Sequence, residues 1–182
     1  MMNLELLCRA TELSGDKRFY DMAISHADKT MANHFRPDYS CYHVVNYDTI
    51  SGNALQKCTW QGYADKSVWS RGQSWALYGY TMMYRETKQP RYLEQAKHIA
   101  GFLLNHPKMP QDKIPYWDFD DPDIPNALRD ASAAAIMASA LLELSGYVDE
   151  ATGQGYVAVA ETQLRTLASD EYLAKPGENT NF

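Results

Sequence analysis

Clusters of basic residues are missing from this 182-residue sequence, in which 17 Lys and Arg are scattered among 23 Asp and Glu for a net charge of −6. A nucleic-acid groove needs clustered Lys and Arg to replace the counterions of the phosphates. The composition therefore argues against nucleic acid as a partner. An anionic small molecule stays a candidate ligand wherever one local basic group faces it.

Cysteine is scarce: Cys8, Cys41 and Cys58 are the only three, and none of them belongs to a CxxC motif. A disulfide framework or a cysteine-based zinc site is therefore not expected. Cys41 and Cys58 have positions that would face each other across a hairpin. Buried free thiols are nevertheless the favoured interpretation, because a free cysteine behaves as a small apolar residue.

Membrane-length hydrophobic runs and metal-ligand spacings are missing too. No apolar stretch approaches the ~20 residues of a membrane span, so no membrane is expected as a partner. No two of the helical histidines have the spacing of ligands to one metal ion, so no metal site is expected. Surface or helix-capping positions are expected for four of them, namely His26, His34, His98 and His106.

Aromatic residues are plentiful, with 13 Tyr and 4 Trp in a chain that is 45% hydrophobic, enough for one domain with a sizeable core. Aromatic rings with a polar edge often line sugar sites, because the C–H face of a pyranose stacks on them. Helical periodicity then predicts three helix pairs, 2–14 with 17–35, 75–87 with 91–105, and 131–144 with 155–168. The second helices align in register at Ala23, Ala96 and Ala160, as in stacked α/α hairpins.

Two long insertions interrupt the helices, at 36–70 and 107–129, and loops of that length in a compact domain are usually functional. The first predicts a β-hairpin with strands at 41–47 and 54–60. The second is rich in Pro and Asp and predicts an irregular surface wall.

The densest group of polar and aromatic residues lies at 60–75, where the first insertion meets a helix. If the helix starts near Arg71, then Arg71 and Trp75, four positions apart, share a helix face. Arg can grip a carboxylate with paired N–H donors, and Trp offers a stacking plane. The alternative is a core Trp and a helix-end Arg in a salt bridge. For His43, in an apolar strand, the alternative is a hydrogen-bonded core group.

Carboxylates carry most glycosidic chemistry, because cleavage usually needs an acid to protonate and a base to activate water. Asp130 directly precedes an apolar helix, where an N-cap is the simpler explanation. Asp118, beside Trp117, is the better candidate for the wall of a sugar site. The other candidates are Asp65, Asp120 and Asp121, and the sequence makes none of these a catalytic pair.

Four motifs carry a resemblance that spans nearly the whole chain: YHVV at 42–45, TWQGYAD at 59–65, WSRGQSWA at 69–76 and PYWDFD at 115–120. In this order they resemble the unsaturated glucuronyl hydrolases of glycoside hydrolase family 88. They differ from the pattern of the related unsaturated rhamnogalacturonyl hydrolases.

The resemblance implies an all-α fold, an (α/α)6 toroid, of which residues 1–182 would form about half as one partial domain of three α-hairpins with a β-hairpin insertion. The implied activity removes a 4,5-unsaturated uronic acid from oligosaccharides that polysaccharide lyases release. An aspartic acid protonates C4 of the enol ether and assists addition of water at C5, and the hemiketal then opens. No metal or organic cofactor is implied.

By motif match, the residues expected to line the substrate site are His43, Gln61, Trp69, Arg71 and Trp75. Trp117 and Asp118 are weaker candidates. Trp69 or Trp75 would stack on a sugar, and Arg71 and His43 would contact its polar substituents.

Both catalytic aspartates of the family are expected upstream of Met1, and 177–182 is expected to begin a longer segment. An open half-ring would expose an apolar seam that favours self-association or instability. Two rivals stay open, a non-catalytic carbohydrate-binding α/α domain and an unsaturated galacturonyl hydrolase. The compartment, cytoplasm or periplasm of a bacterium, is also open.

Overall fold

The computed structural model describes residues 1–174 and residue 177. In chain order its elements are α1 (Leu4–Ser14), α2 (Lys17–His34), β1 (Val44–Tyr47), β2 (Ala54–Cys58), α3 (Ser70–Thr87), α4 (Pro90–Leu104), α5 (Ala131–Ser145) and α6 (Glu150–Leu167). The three predicted helix pairs are confirmed. The segment predicted to begin a longer one at 177–182 lies, apart from Gly177, outside the described residues.

Local signals set most helix ends where the sequence predicts them. Gly15 ends α1 with φ 72°, in the left-handed region that favours glycine, and its N–H donates to the Thr11 carbonyl. Pro90 takes the first position of α4, where its missing N–H costs nothing. Asp130 caps α5 by accepting a hydrogen bond from the N–H of Ala133, as expected.

Two helices begin earlier than their predicted ranges, α3 at Ser70 rather than at 75 and α6 at Glu150 rather than at 155. The start of α3 agrees with the alternative of a helix that begins near Arg71. The N–H of Ser70 donates to the Trp117 carbonyl, so a contact from the distant second insertion sets the start of α3. In α6, Asp149 accepts from the Thr152 N–H and caps the helix upstream of its glycines. A β-carbon at Gly153 would lie 2.7 Å from the Ser145 carbonyl, so glycine there permits the close α5–α6 turn.

The three hairpins stand side by side. Each helix packs on its partner within the pair, and α3 also packs on α1 and on α5. The aligned Ala23, Ala96 and Ala160 are all fully buried, so the small residues stand where helices meet. Buried tyrosines join the pairs, since the hydroxyl of Tyr80 donates to the Ala27 carbonyl at 2.9 Å.

The first insertion forms the predicted β-hairpin with shorter strands. β1 and β2 are antiparallel, and Val44 pairs with Cys58. Cys41 instead bridges to Phe35, and all three cysteines are buried and free, as the favoured interpretation expects. None of the helices in the described part of the chain is long and apolar enough to cross a membrane.

The second insertion is irregular, as predicted. Isolated bridges from Trp69 to Asp118 and from Tyr116 to Arg129 attach it to the start of α3 and to the segment before α5. The two insertions therefore meet at the amino-terminal end of α3.

Candidate functional site

A cavity of about 900 Å³ opens between the β-hairpin, α2 and the first turn of α3. This size falls in the usual range for small-molecule sites. The five residues expected to line a substrate site all lie on its wall: His43, Gln61, Trp69, Arg71 and Trp75. Residues that are up to 32 positions apart in sequence therefore converge on one space.

The first turn of α3 holds the aromatic wall. Trp69 has an extended backbone just before the helix, and its ring lies 4.4 Å, centroid to centroid, from that of His43. A β-carbon on Gly72 would lie 2.9 Å from Cε3 of Trp69. Glycine at this position therefore leaves room for the Trp69 ring to lie against the helix. One turn later, Trp75 lines the same cavity and packs edge-on against Tyr78.

His43 is held by the loop that follows β2. Its Nδ1 accepts hydrogen bonds from the backbone N–H groups of Trp60, at 3.2 Å, and Gln61, at 3.4 Å, and lies 3.1 Å from the Thr59 hydroxyl. A nitrogen that accepts from backbone N–H groups carries no proton, so the ring proton sits on Nε2. Desolvation lowers the pKa of His43, which favours this neutral form. His43 thus combines the hydrogen-bonded role with a place on the cavity wall.

Arg71 forms a salt bridge and also lines the cavity. Its Nε lies 3.0 Å and its Nη2 2.9 Å from Oδ2 of Asp130, which is the predicted helix-end salt bridge. Its side chain is nevertheless 39% exposed and lines the cavity, and its guanidinium carbon lies 5.7 Å from the centre of the Trp69 ring. Among the described residues, Nη1 of Arg71 has no hydrogen-bond partner, so this group can donate to a ligand.

Asp118 and Trp117, the two weaker candidates, do not line the cavity. Asp118 is fully buried, and its carboxylate accepts from the N–H of Tyr63 at 2.9 Å and the hydroxyl of Ser67 at 2.6 Å. It also accepts from the N–H of Asp120 at 2.9 Å. The carboxylate therefore joins the two insertions. The indole N–H of Trp117 donates to Asp121.

Sequence reasoning missed the part of the cavity wall that α2 supplies. His34, the last residue of α2, is half-buried on this wall, and desolvation lowers its pKa to about 4. Its ring nitrogen lies 3.4 Å from the Tyr42 carbonyl. The missed signal is spacing: His26, Thr30 and His34 are four apart and share one helix face.

Asp48 is the one carboxylate among the described residues of the cavity wall. It is partly exposed in the hairpin turn, where its Oδ1 accepts from the N–H groups of Ser51 and Ile50. Backbone hydrogen bonds, chiefly from Ser51, lower the pKa of Asp48. An ionised, turn-bound carboxylate of this kind is unsuited to donate a proton near neutral pH. No cluster of three or more metal-ligating side chains occurs within 1–174 and 177.

Side-by-side α-hairpins with an aromatic cavity at the helix ends define a helical-hairpin domain of the glycosidase type. The chain matches Glycosyl Hydrolase Family 88 over residues 1–179 and belongs to that family. An unsaturated glucuronyl hydrolase of Formosa agariphila is 52% identical over 182 residues, covering 100% of this chain and 45% of that protein.

Solved structures of the same family superpose closely. An unsaturated glucuronyl hydrolase specific for heparin has a TM-score of 0.93 at 56% identity and covers 97% of this chain and 47% of its own. A Streptococcus agalactiae unsaturated glucuronyl hydrolase variant complexed with dGlcA-GalNAc6S has a TM-score of 0.79 at 33% identity, over 92% of this chain and 45% of that one. The expected α/α toroid fold is confirmed, and the chain spans just under half the length of these relatives.

Proposed function

We propose that residues 1–182 are part of a single α/α-toroid domain that hydrolyses unsaturated glucuronyl oligosaccharides, and that they supply the substrate-binding wall. The observation that carries the proposal is the convergence of His43, Gln61, Trp69, Arg71 and Trp75 on one cavity. The family membership and the dGlcA-GalNAc6S bound to a relative support an oligosaccharide with a 4,5-unsaturated uronic acid as the ligand.

The cavity chemistry fits such a ligand. Trp69 and Trp75 offer apolar faces for a sugar ring, and Arg71 offers charge-assisted N–H donors to a carboxylate. His43, with its proton on Nε2, offers a neutral donor to a hydroxyl or carboxylate oxygen. These groups bind and orient the substrate, and none of them is arranged to deliver a proton to carbon.

The proposed reaction hydrates the C4=C5 double bond. An acid adds a proton to C4, water adds its oxygen to C5 and loses a proton to the same carboxylate, and the resulting hemiketal opens with release of the other sugar. No carboxylic acid suited to the first step lines the cavity within the described residues, because Asp48 is ionised. We therefore propose that the acid comes from residues upstream of Met1 and that residues 1–182 alone bind without hydrolysing.

The test uses a longer protein that contains residues 1–182 and their upstream neighbours, with the loss of double-bond absorbance of unsaturated chondroitin or heparin disaccharides as the measurement. Replacing Arg71 with Ala removes a charge-assisted hydrogen bond and should raise KM about 10- to 100-fold. Lys66→Ala is the matched control, since Lys66 is an exposed cation of the loop just before α3 and lies outside the cavity. Equal kinetics for both variants would remove Arg71 from the site, and activity only on pectin-derived disaccharides would favour a galacturonyl substrate.

Residues 1–182 alone are further proposed to self-associate through an apolar groove between α5 and α6. Leu142, Val157 and Leu164 are exposed there, and just over half of the length of the relatives is not represented in this chain. Sedimentation equilibrium should show dimers that Leu164→Glu dissociates. The control is Leu55→Glu, which changes an exposed leucine of β2, and a monomeric parent chain would refute the proposal.

A further inference from the structure

Asp130 is a buried carboxylate behind the cavity wall. Its side chain is 2% exposed and does not line the cavity, yet it holds the Arg71 guanidinium through Nε and Nη2. The same carboxylate accepts from the N–H of Ala133 at 2.8 Å and so caps α5. One side chain therefore ties the first turn of α3 to the first turn of α5.

This double contact determines which part of Arg71 faces a ligand. Nε donates to both oxygens of Asp130 and Nη2 lies 2.9 Å from Oδ2 in the same ion pair, whereas Nη1 has no partner within the described residues. The long Arg side chain has many rotamers in isolation, and a paired carboxylate selects one of them. A guanidinium that is already oriented loses less entropy when it binds a carboxylate.

We propose that Asp130 is a positioning residue that holds Arg71 in the orientation in which Nη1 meets the substrate carboxylate. Asp130 does not contact the ligand; it acts through Arg71. The location of the pair supports this role, because the Arg71 guanidinium stands between a buried anion on one side and the open cavity on the other. The ligand half of this inference rests on the proposed function, whereas the orientation of Arg71 does not.

The structure provides a matched pair of variants. Asp130→Asn preserves a side-chain oxygen for the N–H of Ala133, since Asn is as good an N-cap as Asp, but it removes the charge that holds Arg71. Asp149→Asn makes the same change at the cap of α6, where the carboxylate accepts from Thr152 and contacts no arginine. The control therefore reproduces the change in the cap and leaves the ion pair intact.

The first measurement needs no ligand. Hydrogen exchange of the Arg71 Nε–H, followed by NMR on the 182-residue chain, should be slow in the parent protein and in Asp149→Asn. It should be at least about tenfold faster in Asp130→Asn, because Oδ2, which accepts that N–H at 3.0 Å, becomes an NH2 donor and leaves only the uncharged 3.3 Å contact to Oδ1. Unchanged exchange in Asp130→Asn overturns the proposal, whatever the chain binds.

The second measurement asks whether orientation matters for binding. Isothermal titration compares an unsaturated chondroitin disaccharide with its uronate methyl ester, which keeps the sugar and lacks the charge. Asp130→Asn should weaken binding of the free acid about 10- to 100-fold and leave that of the ester nearly unchanged. In an Arg71→Ala background the same change should have no further effect.

The outcomes separate the two claims. An equal loss for acid and ester, or a full additional loss in the Arg71→Ala background, would make Asp130 a general structural residue and overturn the positioning role. If the parent chain binds neither disaccharide, the proposed substrate fails, while the Nε–H exchange still decides whether Asp130 fixes Arg71.

Discussion

The backbone N–H of Trp60 donates to Nδ1 of His43 across a gap of 3.2 Å. The neighbouring N–H of Gln61 converges on the same nitrogen. Because these donors cannot be reversed, they exclude a proton from Nδ1 and leave Nε2 as the protonated nitrogen. The loop that follows the hairpin thus fixes the hydrogen-bonding polarity of a cavity side chain.

The tautomer of His43 is directly observable. Nitrogen-15 NMR of the imidazole rings at pH 7 should show His43 protonated at Nε2 and unprotonated at Nδ1. The ring should remain in that form on acidification below the ordinary histidine pKa, because desolvation lowers the pKa of His43. A protonated Nδ1 at pH 7 would contradict the assignment.

A side chain larger than hydrogen at position 72 is expected to clash with the Trp69 ring on the aromatic wall of the cavity. Gly72→Ala would bring a methyl group to 2.9 Å from the Trp69 ring, so the ring must move, and we expect a loss of about 1–3 kcal/mol in unfolding free energy. Gly101→Ala is the control, because Gly101 lies in α4 with no atom within 4 Å of its built β-carbon. That change should stabilise by about 0.5–1 kcal/mol. Urea unfolding measures both, and equal effects would refute the role of Gly72.

Removal of the Asp118 carboxylate is expected to lower the stability of the fold. Asp118→Ala leaves the buried hydroxyl of Ser67 and the part-buried N–H groups of Tyr63 and Asp120 without this acceptor, so unfolding free energy should fall by about 2–4 kcal/mol. Asp123→Ala, at an exposed position of the same insertion, should change it by less than about 0.5 kcal/mol. If Asp118→Ala were as stable as the parent and bound disaccharide more weakly, Asp118 would belong to the sugar site after all.

His34 predicts a dependence of stability on pH. Its pKa falls from 6.5 to about 4 on folding, so the unfolded chain binds more protons between these values. The contribution of the neutral ring is therefore fully present above pH 6.5 and is lost as the pH falls towards about 4. His34→Gln should reduce the slope of unfolding free energy against pH in this window relative to the parent protein. Identical slopes for the variant and the parent would contradict the prediction.

The sequence predicts the helix pairs because the signals that set them are local. Gly15, Pro90 and Asp130 each act within a few residues of the helix end that they determine. The early start of α3 was not predictable in the same way, since it depends on a hydrogen bond from Ser70 to Trp117, 47 positions away.

The candidate site likewise contains some residues that the sequence predicts and others that depend on contacts between distant segments. The motif match predicts that His43, Arg71 and Trp75 share one site, and the structure places all three on the wall of one cavity. Asp118 belongs to a motif as well, and no local signal distinguishes a carboxylate that faces a sugar from one that joins two loops. Only the meeting of the two insertions, which places Tyr63 and Ser67 against Asp118, decides that question.

The most direct test of the account compares the 182-residue chain with a version extended upstream of Met1, using unsaturated chondroitin or heparin disaccharides and the loss of double-bond absorbance. The account predicts that the short chain binds the disaccharide without turnover and that the extended version consumes the double bond. Turnover by the short chain would show that its own residues supply the acid, and inactivity of both would contradict the proposed hydrolysis.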